Sequence, residues 1–287
     1  MAEAKIGVLG GTGLYQMEGL ENAHEVNVDT PFGTPSDSFV IGELDGKPVA
    51  FLARHGRGHR IIPSEIPVQA NIFAFKKLGV ERLISISAVG SMREEIRPQD
   101  IVVPDQYFDR TRGRPSTLFG RGIAVHVSFD QPVCPHLSES LYETSVQEGG
   151  RVHRGGTYIC MEGPAFSTKA ESRIYRQWGI DVIGMTALPE AKFAREAEIC
   201  YATLAFVTDY DVWHESEAAV TVEMILENLH QNAAMAQQII RAVVPQLDGA
   251  RECACANALK MAIVTPPDRM PPEEKERLHL LLEKYIS

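Results

Sequence analysis

No hydrophobic run in this 287-residue chain approaches the roughly 18 uncharged apolar residues that a membrane span requires. Nor does its start resemble a leader: Met1-Ala-Glu-Ala-Lys5 is polar and runs directly into an apolar segment. Positive charge is in deficit, because Lys+Arg 28 against Asp+Glu 38 leave a net charge of −10. Nucleic-acid backbones and anionic lipid surfaces are bound by Lys and Arg releasing counterions, so neither nucleic acid nor membrane is an expected partner. A small anion held in one local basic pocket stays allowed. The cysteines are few, at 134, 160, 200, 253 and 255, and without a leader they read as reduced thiols in a cytoplasmic protein. Internal repeats, low-complexity tracts and Gly/Ser/Pro linkers are all missing, which predicts a single domain over residues 1–287. A C-terminal extension at about 247–287 begins with an irregular stretch, where Pro266, Pro267, Pro271 and Pro272 interrupt regular structure. The 44% hydrophobic content is enough for a sizeable core.

Strands and helices alternate in the pattern of what is present. Lys5–Leu9 reads as a short buried strand stopping at Gly10-Gly11-Thr12-Gly13, and Phe39–Leu44 and Val49–Ala53 flank the hairpin signal Asp45-Gly46. Further strands are expected at Arg82–Ser87, Ile101–Val103, Asp181–Ile183 and Tyr201–Thr208. Helical spacing marks Val68–Leu78, Leu137–Gln147, Lys169–Trp178, Pro189–Ala197, Val220–Val244 and Glu273–Ile286. This alternation implies an α/β fold with a central mixed sheet flanked by helices on both faces.

Five groups of residues could carry chemistry. Gly10–Gly13 follows a strand and could turn backbone N–H groups toward an anion, or be a plain tight turn; neither GxGxxG nor GK[ST] is completed. Arg54-His55-Gly56-Arg57-Gly58-His59-Arg60 is the one dense basic cluster, suited to phosphate oxygens or to solvent. His55 and His59 have metal-ligand spacing only on a helix, which the intervening glycines oppose, so no metal is expected there. Ser85–Ser91 ends a buried strand in small hydroxyl residues, a place where α/β sheets collect ligands and also where generic turns occur. Asp209 and Asp211 at the end of another strand could share a crevice in which burial and repulsion raise one pKa, or could be solvated loop acids. Cys253-x-Cys255 is compatible with free thiols, a strained disulfide or half of a metal site; with no second cysteine pair in the sequence, free thiols are the expectation.

In order along the chain come GGTG, DTPFGTPSD (Asp29–Asp37), ARHGRGH (Ala53–His59), SAVGSMREEI (Ser87–Ile96), EGPAFSTKAES (Glu162–Ser172), GMTALPEA (Gly184–Ala191) and TDYDVW (Thr208–Trp213). Over roughly residues 5–245 the chain thereby resembles the methylthioadenosine phosphorylases of the trimeric purine nucleoside phosphorylase superfamily. The resemblance implies a phosphate site built from Thr12, Arg54, His55, Ser87, the backbone of Ala88, and Thr186. It implies that Met185 holds the ribose, that Phe166 lies near the base, and that the Asp209-Tyr210-Asp211 segment reads the purine edge. Ser167 would bear on substrate choice, and the 5′ end would meet Val222, Ile225 and Leu226 together with His126 from a neighbouring copy.

The chemistry expected on that basis is cleavage of 5′-methylthioadenosine by phosphate to adenine and 5-methylthioribose 1-phosphate. Inorganic phosphate is then a co-substrate and no cofactor is required. Asp209 would protonate the leaving purine, and Asp211 would accept from a 6-amino group, whereas a 6-oxopurine would favour an amide at that position. A broader purine nucleoside phosphorylase and a non-catalytic nucleoside-binding protein are the alternatives. A site completed by a neighbour implies a homo-oligomer, a trimer or a hexamer of two trimers.

Overall fold

The computed structural model describes residues 3–11, 17–214, 222–247 and 249–286, without the side chains of 222–227, 229 and 230. Its strands are β1 (Ile6–Gly10), β2 (Glu21–Val26), β3 (Phe39–Leu44), β4 (Lys47–Ala53), β5 (Arg82–Ser91), β6 (Ile101–Val103), β7 (Gln106–Arg110), β8 (Val152–Arg154), β9 (Thr157–Met161), β10 (Val182–Gly184) and β11 (Cys200–Asp209). All of them join one mixed sheet. The helices are α1 (Val68–Lys77), α2 (Pro135–Gln147), α3 (Lys169–Gln177), α4 (Ala187–Glu196), α5 (Val222–Val243), α6 (Pro272–Arg277) and α7 (His279–Leu282).

Side chains alternate across a strand, and here the alternation sorts the core into two layers. Ile6 and Val8 of β1 and Val49 and Phe51 of β4 face one cluster; Leu9, Ala50 and Leu52 face the other. The first cluster takes Leu137 and Leu141 of α2, and Ala236, Ile239, Ile240 and Val243 of α5 at helical spacing. The second takes Ile72 and Phe75 of α1, and Ala191, Phe193 and Ala194 of α4. Helices therefore cover both faces, as the alternation of elements implies. The β3–β4 hairpin turns on Asp45 (φ 48°) and Gly46 (φ 71°), the left-handed pair that matches strand twist.

β5 is the branch point of the sheet. It runs parallel between β1 and β11, with Cys200 opposite Arg82 and Ala205 opposite Ser87, and its last residues pair antiparallel with β10. The β5–β11 register shifts between Val207 and Asp209, a bulge that re-aims the end of β11.

Four strands, β2, β7, β8 and β9, add to those expected from sequence. The predicted terminal helix is also divided: α6 and α7 meet at Leu278 (φ −108°, ψ 17°), which is fully buried, and Leu281 and Leu282 follow it into the core. The Pro189–Ala197 helix begins earlier, at Ala187, but Leu188 is extended inside it (φ −118°, ψ 136°).

Candidate active site

The ends of β1 and β4 lie side by side, Gly10 opposite Ala53, and the Arg54 N–H donates to the Gly10 carbonyl at 2.9 Å. Arg54 therefore starts its side chain at the end of β1 and is buried, at 2% exposure. There the guanidinium is held by Glu190 of α4 through both carboxylate oxygens. It also donates to the carbonyls of Ile86 (2.9 Å) and Leu9 (3.2 Å) and to the Ser85 hydroxyl (2.7 Å). Burial alone would lower the Arg54 pKa, but the Glu190 carboxylate outweighs it and the group is held above its ordinary value. Ser85 and Tyr201 hydroxyls donate to Glu190 at 3.1 and 3.0 Å. Glu190 lies within GMTALPEA, yet no spacing in the sequence links it to Arg54, because the contact joins residues 136 apart.

His55 follows in the chain and is buried, stacked on His59 with ring centroids 4.2 Å apart. Its Nδ1 lies 2.8 Å from the Ile61 carbonyl and must donate there, since a carbonyl only accepts. Burial, then the charge of Arg54, pushes its pKa down to about 4. His55 is thus neutral near pH 7 and presents Nε2 as an acceptor.

Ser87 on β5 places its hydroxyl 3.1 Å from that of Tyr158 and 3.3 Å from that of Thr186, all three side chains being buried. Thr186 is the residue before α4, and its hydroxyl makes no capping bond to the helix. Burial pushes the Tyr158 pKa up to about 12, which keeps its O–H protonated. Ala88, next in the strand, is exposed between buried neighbours, so β5 is open to solvent at this point.

Asp209 ends β11 at the bulge. Its carboxylate accepts the Thr208 hydroxyl at 2.7 Å and the Asp211 N–H at 2.8 Å. A side chain on Gly90 opposite would come within 2.9 Å of Asp209 Oδ1, so glycine permits this approach. Asp211 adopts the left-handed conformation (φ 53°). Burial first, opposed by a Ser172 hydrogen bond and assisted by the Asp209 charge, pushes its pKa up to about 6. Its buried Oδ2 has no hydrogen-bond partner among the described residues. Tyr210 between them turns away: its hydroxyl donates to the Glu94 carbonyl (3.3 Å) and its ring stacks on His214.

The opposite wall is held by Arg114, which sequence reasoning missed. This nearly buried side chain pairs with Glu162 (3.0 Å) and donates to the carbonyls of Glu162 (2.7 Å), Met185 (2.8 Å) and Leu188 (2.9 Å). It fastens the loop after β9 to the segment after β10. In that loop Phe166 is half exposed and Ser167 is buried against Met161 Sδ (3.7 Å). A side chain on Gly163 (φ 68°) would collide with Met185 Sδ. His126 is exposed, in a loop bonded to the C-terminal extension through His126 N–H to Ala262 O (2.9 Å). Thr12 lies outside the described residues, as do the side chains of Val222, Ile225 and Leu226, whose backbone begins α5.

Comparison with known proteins places the chain in a family. Residues 5–245 match the phosphorylase superfamily. S-methyl-5′-thioadenosine phosphorylase from Gloeobacter violaceus is 60% identical over 99% of this chain and 96% of its own. The protein of that name from Geobacter sulfurreducens is 57% identical over 99% and 100%. A methylthioadenosine phosphorylase structure from an Antarctic soil metagenomic library superimposes with a TM-score of 0.94 at 49% identity, covering 98% of this chain and all of that one. The Schistosoma mansoni enzyme in complex with adenine gives 0.85 at 32% identity, covering 90% and 96%.

Proposed function

Since the chain belongs to the phosphorylase superfamily, we propose that the cleft between the ends of β5 and β11 carries the phosphate-dependent cleavage of methylthioadenosine. The reaction transfers a pentosyl group to inorganic phosphate and releases adenine and 5-methylthioribose 1-phosphate. One observation carries the residue assignment. Ser87 of the hydroxyl cluster and Gly90, which faces Asp209, are three residues apart on one strand, about 10 Å. That is the span from an anion beneath a ribose to the far edge of its base.

At one end, Ser87, Thr186 and the remaining Nη1 hydrogen of Arg54 offer donors to phosphate. The His55 Nε2 lone pair accepts from the P–OH of hydrogen phosphate, so nucleophile orientation follows from a donor–acceptor match at neutral His. Thr12 and the Ala88 backbone complete this half of the reading. At the other end, the orphaned Asp211 Oδ2 accepts the exocyclic 6-amino group of the base. Repulsion between Asp209 and Asp211 and the base displacing water oppose a second charge, so the pair enters the reaction with one proton, which Asp209 delivers at the base edge. As the C1′–N9 bond breaks, its electron pair goes to the purine, Asp209 gives its proton to N7, and a phosphate oxygen bonds to C1′. Met185 and Phe166 flank the ribose and base, and Ser167 bears on substrate choice. Val222, Ile225 and Leu226 at the start of α5 form the apolar seat for the methylthio group, with His126 entering from a neighbouring copy of a cytoplasmic trimer or hexamer. The chemistry draws on these side chains and phosphate, without a cofactor.

Adenine release from methylthioadenosine, measured with and without phosphate, tests this. The wild type turns over only with phosphate, and Asp209→Ala loses about 10²–10⁴-fold in kcat. Near-wild-type activity in that variant overturns the acid assignment.

A further inference from the structure

At the opposite end of β11 from Asp209, about 30 Å away along the strand, four cysteines converge. Cys200 is the first residue of β11, and Cys134 is the residue before α2, its N–H donating to the Tyr201 carbonyl at 2.8 Å. Cys253 and Cys255 come from the C-terminal extension, at the start of a short 3-10 turn, Ala254–Asn257. The fold thus supplies the second cysteine pair that the sequence did not show beside Cys253-x-Cys255. Cys134, Cys200 and Cys255 are buried and Cys253 is partly so. All four Sγ atoms lie within 4.8 Å of one another, with Cys200 and Cys253 at 3.2 Å.

The form of this cluster discriminates between its chemistries. Two disulfides would draw the sulfurs into two pairs near 2.0 Å and leave the remaining separations long. A tetrahedral thiolate site with metal–sulfur bonds of about 2.3 Å sets all six sulfur–sulfur edges near 3.8 Å. The group here fits that size, with every separation within 4.8 Å and Cys200 to Cys253 at 3.2 Å. Four sulfur ligands with no oxygen or imidazole select a soft, tetrahedral cation, and a closed set of four leaves no position for substrate or water. We propose that Cys134, Cys200, Cys253 and Cys255 bind a structural zinc ion that fastens the C-terminal extension to the central sheet.

Binding displaces a proton to solvent from each thiol still protonated and makes four zinc–sulfur bonds, with no change in oxidation state. The surrounding chain is pinned independently of the metal. Arg82, opposite Cys200 in the sheet, donates to the Gly249 carbonyl at 3.1 Å, and Arg251 donates to the Glu198 carbonyl at 2.6 Å.

The test uses the full chain, purified with a reductant and dialysed against metal-free buffer. Elemental analysis is expected to return one zinc per chain. Exchange for cobalt is expected to give the strong visible and charge-transfer bands of a tetrahedral thiolate site. Cys134→Ser and Cys255→Ser, one ligand from each side of the cluster, are each expected to lose both the zinc and those bands. Three results overturn the proposal: four freely titrating thiols that take up no zinc supplied in excess, two disulfides in protein kept reduced, or zinc retained in both variants. The wild-type metal content and cobalt spectrum decide the matter even where a variant fails to fold.

Discussion

Asp211 combines three properties that make it costly to keep: a left-handed backbone, burial, and a carboxylate oxygen without a partner among the described residues. Its carboxyl titrates near pH 6 in the folded chain against an ordinary value of 3.8, so folding favours the protonated form. The penalty is absent below pH 4, grows as pH rises toward 6, and is complete above that. Two pKa units correspond to about 3 kcal/mol. Asparagine tolerates the left-handed conformation and carries no charge. Asp211→Asn is therefore expected to raise the denaturation midpoint at pH 8 and leave it unchanged at pH 4. Asp211→Ala removes the acceptor for the 6-amino group, which asparagine would keep as its amide oxygen, and its kcat/KM for methylthioadenosine is expected to fall roughly 10–100-fold at pH 7.5, the cost of an unpaired buried donor. In the wild type, kcat/KM declines as pH falls through about 6, because a protonated carboxyl accepts a hydrogen bond more weakly than the carboxylate does. An unchanged midpoint difference at both pH values would separate Asp211 from this role.

The short helix α4 shows where sequence reading succeeds and where it stops. Its existence is legible from apolar spacing and an early proline, as are the buried strands β3, β4, β6 and β11, whose apolar runs carry their own signal. β2 and β7 are polar and mostly exposed, and β8 has three residues; their pairing is a property of the partner strand and leaves no period in their own residues. The site follows the same division. The phosphate and base residues lie in contiguous motifs, but the direction of the His55 hydrogen bond depends on Ile61, and the charge of Arg54 is balanced by Glu190 from a distant helix. Glu190 is thus a positioning residue. Breaking a buried pair by neutralising one partner costs about 3–5 kcal/mol. Glu190→Gln is expected to lower the urea midpoint by an equivalent of roughly 3 kcal/mol. It should also raise KM for phosphate while leaving KM for the nucleoside unchanged. Equal changes in both constants would indicate general loosening of the core.

Among the described residues no helix is long and apolar enough to cross a membrane, and the loop bearing His126 is bound to the C-terminal extension. An exposed histidine remote from its own chain's cleft residues in sequence fits a contribution to a neighbouring copy. His126→Ala is expected to lower kcat/KM for methylthioadenosine about tenfold, near 1.4 kcal/mol, without changing KM for phosphate. Mixing it with Asp209→Ala after dissociation and reassembly is expected to restore part of the activity, because some sites regain both residues. Light scattering would show three or six times the 31.7 kDa chain mass. A monomer, or mixtures no more active than their components, would remove His126 from the site. Arg114 has a further consequence for how such a molecule diversifies. It fixes the loop after β9 through main-chain carbonyls and Glu162, so the half-exposed side chain of Phe166 has little part in holding that loop in place. A lineage can then exchange residue 166 to try new nucleosides while inheriting the loop's shape intact.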